Sequence, residues 1–431
     1  MTKFSHLTAR TTQFISFRKE TNWFETITPG SSPAISHVLV MRESSPGDSN
    51  VVSAKASLQP ESPEFAMTNE TTTPTLFSSY TLGRAHLANR IVMSPMTRSR
   101  AIGNVPNDLM VRYYEQRSEA GLIITEGTAP SPDGLGYPRI PGLFNAEQVA
   151  GWKKITDVVH AAGSRIFVQL MHTGRVAHPS NLPNGGRVLA PSAIAWEGKM
   201  WVDGQGQLPI PTPEAATVEE IERIIKDFVH SAELAIEAGF DGVELHGANG
   251  YLIEQFLNTA ANQRTDEWGG SVTNRIRFAV EVSKRIAERI GGDRLGIRVS
   301  PYSNGNGLRA DDEEVENVHE TLAAELSKLG LAYIHVVDHS SMGMPSVPQS
   351  VKDKIRKAFG GTIILAGGYD LERANKDLAA GRGDLIAFAR PFIANPRFVS
   401  RLRAGLPLAA PDFATFYSPG EKGYTDYPLE P

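Results

Sequence analysis

A chain of 431 residues, 41% hydrophobic and 21% charged, has ordinary globular composition and is long enough for one barrel with an extension or for two to three domains. A formal charge of −5 offers no basic face to nucleic acid, and no apolar run reaches the length of a membrane span, so neither partner is expected. Without a single cysteine there is no disulfide, no thiolate nucleophile and no Cys-ligated zinc or iron–sulfur cluster, and the chemistry must use oxygen, nitrogen or a borrowed cofactor.

Residues 1–73 are rich in Ser, Thr and Pro and hold no sustained period. They read as an N-terminal extension, mostly disordered or targeting, ahead of a compact unit over 74–431. Lys3, Arg10, Arg18 and Lys19 precede the first acid, Glu20, as in an organellar transit peptide; an uninformative tail is the competing reading. Met67 offers a second start, and Asn69 opens a glycosylation triplet of a kind that chance also produces. The expected location is cytoplasmic, with organelle targeting through residues 1–66 as the alternative.

From residue 90 onward short apolar runs alternate with helical patterns. Strands are predicted at 90–95, 122–126, 165–170, 242–246, 295–299, 332–337, 362–366 and 385–389. The helices are best seen at 217–238, where Ile221, Ile224, Ile225, Phe228, Ala232 and Ala235 form one apolar stripe behind a capping box of Thr217 and Glu220. Eight strand-then-helix units are the count of an α/β fold closed as a single (β/α)8 TIM barrel, with a doubly wound sheet as runner-up. No Gly-x-Gly-x-x-Gly follows the first strand and no Walker loop occurs. The Pro- and Gly-rich stretch 175–213 after the third strand is expected to insert as a lid over the carboxyl end of the barrel.

Catalytic side chains in such a barrel emerge at the carboxyl ends of strands. Two readings stand at strands 7 and 8: Gly367, Gly368 and Arg390 build a phosphate site, or the glycines merely turn the chain. Gln169 and Arg298 face inward near strand tops, serving a ligand or an internal ion pair with Glu126 or Glu244. His246 alone reads as a structural histidine, but Asn249 and Tyr251 beside it point to a shared anion or carbonyl site. His172, His178, His335 and His339 have no metal-ligand spacing, so no metal is expected. The acidic run 311–314 reads as a solvated helix start.

In their joint order, six segments from residue 74 onward resemble the Old Yellow Enzyme family of FMN-dependent ene-reductases. They are Ser-Pro-Met-Thr-Arg-Ser-Arg (94–100), Thr-Glu-Gly-Thr (125–128), Val-Gln-Leu-Met-His-Thr-Gly-Arg (168–175), the run 243–257 around His-Gly-Ala-Asn-Gly-Tyr, Asn-Gln-Arg-Thr-Asp-Glu-Trp-Gly-Gly-Ser (262–271) and 416–428. The resemblance implies non-covalent FMN across the barrel mouth. Its ring would be held by Pro95, Met96, Thr97, Gly127, Gln169 and Arg298, and its phosphate by Gly367, Gly368, Ala389 and Arg390. Arg298 would meet the negative charge that arrives on reduction, and Thr97 the C4 carbonyl.

The resemblance further implies that NADPH or NADH gives hydride to the flavin and that an enone, enal or nitroalkene then takes it in the same place, a ping-pong scheme. His246 and Asn249 would hold the substrate oxygen while Tyr251 protonates the α carbon. Tyr137 and Tyr417 would shape the pocket. Met171 stands where many members carry tryptophan, which implies a larger, softer pocket. Asn249 replaces the second histidine of some members, and Ala389 replaces a common glycine. The oligomer would be a monomer or homodimer. Two competing functions are an isomerase or lyase on the same scaffold, which would be colourless, and a flavin-bearing enzyme confined to one biosynthetic step.

Overall fold

The computed structural model describes residues 73–310 and 314–429. The expectations placed on residues 1–72, Met67 and the Asn69 triplet included, lie outside the described residues, as do Asp311, Asp312 and Glu313 of the acidic run.

Eight parallel strands close into a barrel: β1 (Ile91–Met93), β2 (Leu122–Thr128), β3 (Arg165–Leu170), β4 (Gly242–Gly247), β5 (Leu295–Val299), β6 (Tyr333–Val337), β7 (Thr362–Ala366) and β8 (Leu385–Phe388). β8 pairs back onto β1, which settles the choice between a closed barrel and an open doubly wound sheet. The strands are short and mostly apolar, and residues on both of their faces are buried because helices cover the outside. Leu82 and Leu87, from the hairpin formed by Tyr80–Leu82 and Ala85–Leu87, cluster with the interior residues Val92, Ile124, Phe167, Tyr333 and Ile364.

Main crossover helices are α1 (Asp108–Glu115), α2 (Ala146–Ala161), α3 (Val218–Glu237), a short α4 (Leu252–Leu257), α5 (Val272–Ile290), α6 (Val315–Lys328), α7 (Gln349–Phe359) and α8 (Leu371–Ala379). α3 begins at its capping box, with Thr217 and Glu220 each bonding the other's backbone, and all six stripe residues are buried. Asn107, Asn145, Ser271 and Asp370 cap α1, α2, α5 and α8 in the same manner, each side-chain oxygen accepting backbone N–H groups of the first turn. The chain closes with α9 (Arg390–Ala394), α10 (Phe398–Arg403) and a C-terminal segment that returns to the barrel mouth.

The insertion after β3 carries an antiparallel hairpin, Lys199–Val202 with Gly206–Pro209, and a two-residue pairing of Leu189–Ala190 with Glu214–Ala215. Met200 seats it by packing with Val176 and Ile210 against Tyr137, Trp196 and Tyr251. The lid expected for 175–213 therefore lies over the carboxyl end.

Candidate active site

Barrel register decides which side chains meet. On β4, Glu244 and His246 are two residues apart and point to the same interior face. Glu244 pairs with Gln169 across β3, while His246 pairs with Arg298 on β5, which in turn pairs with His335 on β6. Glu244 accepts from Gln169 Nε2 at 2.8 Å and from His335 Nδ1 at 2.9 Å. Of the two internal partners weighed for Arg298, Glu244 bonds Gln169 and His335 instead, and Glu126 accepts from the Arg98 N–H. Arg298 is buried, makes no hydrogen bond to the described residues, and its Nε is left without an acceptor. Burial pulls its pKa down, opposed chiefly by Glu244. A buried guanidinium without an acceptor needs an electron-rich group, which the pyrimidine edge of a flavin is.

An open cavity of about 1920 Å³ spans the carboxyl end, bounded by Pro95, Thr97, Tyr137, Gln169, His246 and Tyr251, among others. Asn249, Arg298 and Tyr417 line it too, and so do Arg139, Lys199, Trp201 and Asp203 from the lid side. Arg298 also borders an adjoining cavity of about 790 Å³ walled by Ala366, Gly367, Gly368, Ala389 and Arg390. Gly367 (φ 142°) and Gly368 (φ 63°) adopt backbone that side chains rarely reach, so a tight ledge faces this second cavity. The two cavities share Arg298, and the second is lined by Gly367, Gly368 and Arg390.

Tyr251 donates its hydroxyl to Tyr137 at 3.0 Å, and its ring meets His246 edge-on. Burial, followed by Tyr137, holds the Tyr251 pKa well above 10.0, and burial with Arg298 holds that of His246 well below 6.5. At neutral pH the phenol keeps its proton and the imidazole is uncharged. His246 Nε2 and Asn249 Nδ2 lie 3.5 Å apart, a separation at which both can reach one oxygen about 2.9 Å away.

Met96 is half-buried and packs on the core, and Gly127 is buried, next to Met171. A Cβ at Gly127 would come within 2.6 Å of Met171 Sδ, so glycine there makes room for the methionine. Met171 is 1% exposed and fills space behind Tyr137 and Tyr251 instead of bounding the cavity. Tyr417 is 62% exposed, at the cavity mouth. Of the other histidines, His178 and His172 cap nearby backbone N–H groups, and no group of three or more acids and histidines among the described residues is placed to hold a metal.

The framework around these groups is set by arginines that the strand-end chemistry does not reveal. Arg98 and Arg100, from the 94–100 segment, donate to the carbonyls of Phe416, Lys422 and Gly423 in the 416–428 segment and of Thr415 just before it. Those bonds bring Tyr417 to the mouth. Arg139, itself at φ 56°, ties three parts of the rim: Asp203 of the lid by an ion pair, the Tyr417 carbonyl at 3.0 Å and the Ser99 carbonyl at 3.0 Å. Arg264 fastens the base of the lid through the Pro191 and Ala216 carbonyls. A run of arginines amid Gly, Ser and Pro was the available signal.

Beneath Asn249, Glu254 is buried and its pKa is pushed up to about 8 by burial, against hydrogen bonds from Ser300 and the Gly250 N–H. Its unfolded value is 4.5, so between there and about 8 the native state holds a proton the unfolded chain has lost, and stability falls as pH rises through that window. Glu254→Gln is expected to flatten this slope in urea midpoints measured from pH 5 to 8; an unchanged slope would place the titration elsewhere.

Residues 75–409 match the NADH:flavin oxidoreductase / NADH oxidase family. Chanoclavine-I aldehyde reductase of Penicillium roqueforti is 44% identical over 364 residues, covering 82% of this chain and 95% of that protein. 12-Oxophytodienoate reductase 2 of Arabidopsis thaliana is 39% identical over 357 residues, covering 82% of this chain and 95% of its own length. A solved structure of morphinone reductase in complex with tetrahydroNAD superposes with a TM-score of 0.79 at 44% identity, over 82% of this chain and 97% of that one. With these matches and this barrel, the chain belongs to the NADH:flavin oxidoreductase / NADH oxidase family and is an NAD(P)H-dependent flavin oxidoreductase of the Old Yellow Enzyme type.

Proposed function

We propose that this protein reduces the C=C bond of enones, enals or nitroalkenes, taking hydride from NADPH or NADH in one half-reaction and delivering it to the alkene in the other. The observation that carries the reading is one cavity bounded by an unpaired buried guanidinium (Arg298), a pair of converging donors (His246 and Asn249) and a protonated phenol (Tyr251). Pro95, Met96, Thr97, Gly127, Gln169 and Arg298 would hold the FMN ring, and Gly367, Gly368, Ala389 and Arg390 its phosphate. Bound there, FMN supplies acceptance of hydride from a nicotinamide and its donation to an electron-poor carbon.

The side chains do the rest. His246 and Asn249 donate to the carbonyl or nitro oxygen and draw electron density from the β carbon, so that negative charge arriving on the substrate is met by fixed donors. Tyr251 gives its proton to the α carbon, and Tyr137 orients that hydroxyl. Glu244 accepts from Gln169 Nε2, which fixes the Gln169 amide and leaves its oxygen as an acceptor that would serve the cofactor. Met200 and Trp201 of the lid, with Tyr417, limit water entry from above. Because both substrates would use one site, double-reciprocal plots should be parallel. The tetrahydroNAD complex of morphinone reductase supports a nicotinamide as donor.

The test is the visible spectrum of the purified protein supplied with FMN, before and after anaerobic NADPH or NADH, and again after cyclohexenone. Expected are a flavin band, its bleaching and its return. A protein that retains no FMN, or a bleached one that cyclohexenone leaves bleached, overturns the reading.

A further inference from the structure

Asn249 lies at φ 61° in the turn after β4, and its backbone is clamped on both sides. Its N–H donates to Ser300 Oγ at 2.9 Å, and its carbonyl accepts from Asn306 Nδ2 at 2.7 Å. Ser300 is itself fixed by donating to Glu254 at 2.6 Å. With the main chain held, the side-chain partners decide the sense of the amide, whose two ends match in shape but not in hydrogen-bonding sense. One end, Oδ1, is 2.7 Å from His339 Nε2, while Nδ2 is turned toward His246. His339 comes from the loop after β6, 90 positions along the chain, and borders the glycine-walled cavity. Burial and then Arg298 push its pKa down to about 4, so its imidazole is neutral and carries one N–H.

We propose that His339 is a positioning residue: by donating Nε2–H to Asn249 Oδ1 it holds the amide NH2 toward the cavity, where it serves the substrate oxygen. The proposal rests on the reading of Asn249 as an oxygen-binding donor. The reversed amide would set its oxygen against a carbonyl or nitro oxygen, two acceptors with no proton between them. The imidazole thus selects, at a distance from the substrate, which face of the amide the substrate meets.

The experiment uses the FMN-loaded enzyme and cyclohexanone, a ketone with no alkene to reduce, titrated through the perturbation of flavin absorption. His339→Leu, close in volume but without a donor, should weaken ketone binding about tenfold, the size of one uncharged hydrogen bond. His339→Gln, whose amide N–H can reach the same acceptor, should recover most of that loss. Because His339 acts through Asn249, the double variant with Asn249→Ala should bind no worse than Asn249→Ala alone. Native affinity in His339→Leu alongside weakened binding in Asn249→Ala overturns the proposal, and so do additive losses in the double variant or no recovery in His339→Gln. Native affinity in Asn249→Ala instead overturns the underlying reading of Asn249, and the proposal with it.

Discussion

Tyr251→Phe is expected to slow the alkene half-reaction by about 10³-fold, the usual weight of a positioned proton donor, with flavin reduction by NADPH left nearly intact. Among the described residues the hydroxyl hydrogen-bonds Tyr137, so its removal deletes the proposed proton source and one neutral hydrogen bond. Stopped-flow measurement of each half-reaction separates the two steps. Equal losses in both would sink the acid role, since a hydride moving to the flavin needs no proton at the substrate α carbon. The same groups set the pH profile. Tyr251 titrates well above 10.0 and His246 well below 6.5, so the alkene step should show no inflection from either group between those values.

Arg298→Met should act in opposite directions on the empty and the loaded protein. In the apoprotein it removes a buried cation whose Nε has no acceptor, and replacement of such a group by an apolar side chain of similar length is stabilising by about 1–3 kcal/mol. In the holoenzyme it would remove the proposed charge-assisted contact to the flavin, worth about 1.5–3 kcal/mol, or roughly 10 to 100-fold in FMN affinity. Thermal midpoints of the two forms and an FMN titration read both effects. An apoprotein that loses stability would mean that Arg298 is held by the barrel for structural reasons. Unchanged FMN affinity would mean that it faces some other group.

Much of the architecture was legible along the chain because strands and helices write local periods. Strands β3, β5 and β7 match their predicted bounds, and α3 begins at the capping box read from Thr217 and Glu220. The reach of β2 was not legible: the pairing slips between Ile124 and Gly127, a bulge that lengthens the strand and turns Glu126 toward the Arg98 N–H. The site was legible where several chemically unusual residues fall within one short run, as with His246, Asn249 and Tyr251. Met171 shows the limit. Its place in the run identifies a pocket position, yet its flexible side chain folds back against Gly127 and lies behind the tyrosines.

What the linear order determined by itself is the strand count, the covering helices and the chemistry delivered to each strand end, since an alternation of two or a stripe of 3.6 needs only neighbouring residues. Tertiary structure alone decided partnership. Glu244 could have met Arg298, and closure of the barrel gave it Gln169 and His335, 75 and 91 positions away. Arg98 reaches the Gly423 carbonyl across 325 positions, and His339 finds Asn249 across 90. Such bonds depend on register and stagger between strands and on where the lid and the C-terminal segment come to rest. No local period encodes these, because they follow from closing one sheet upon itself.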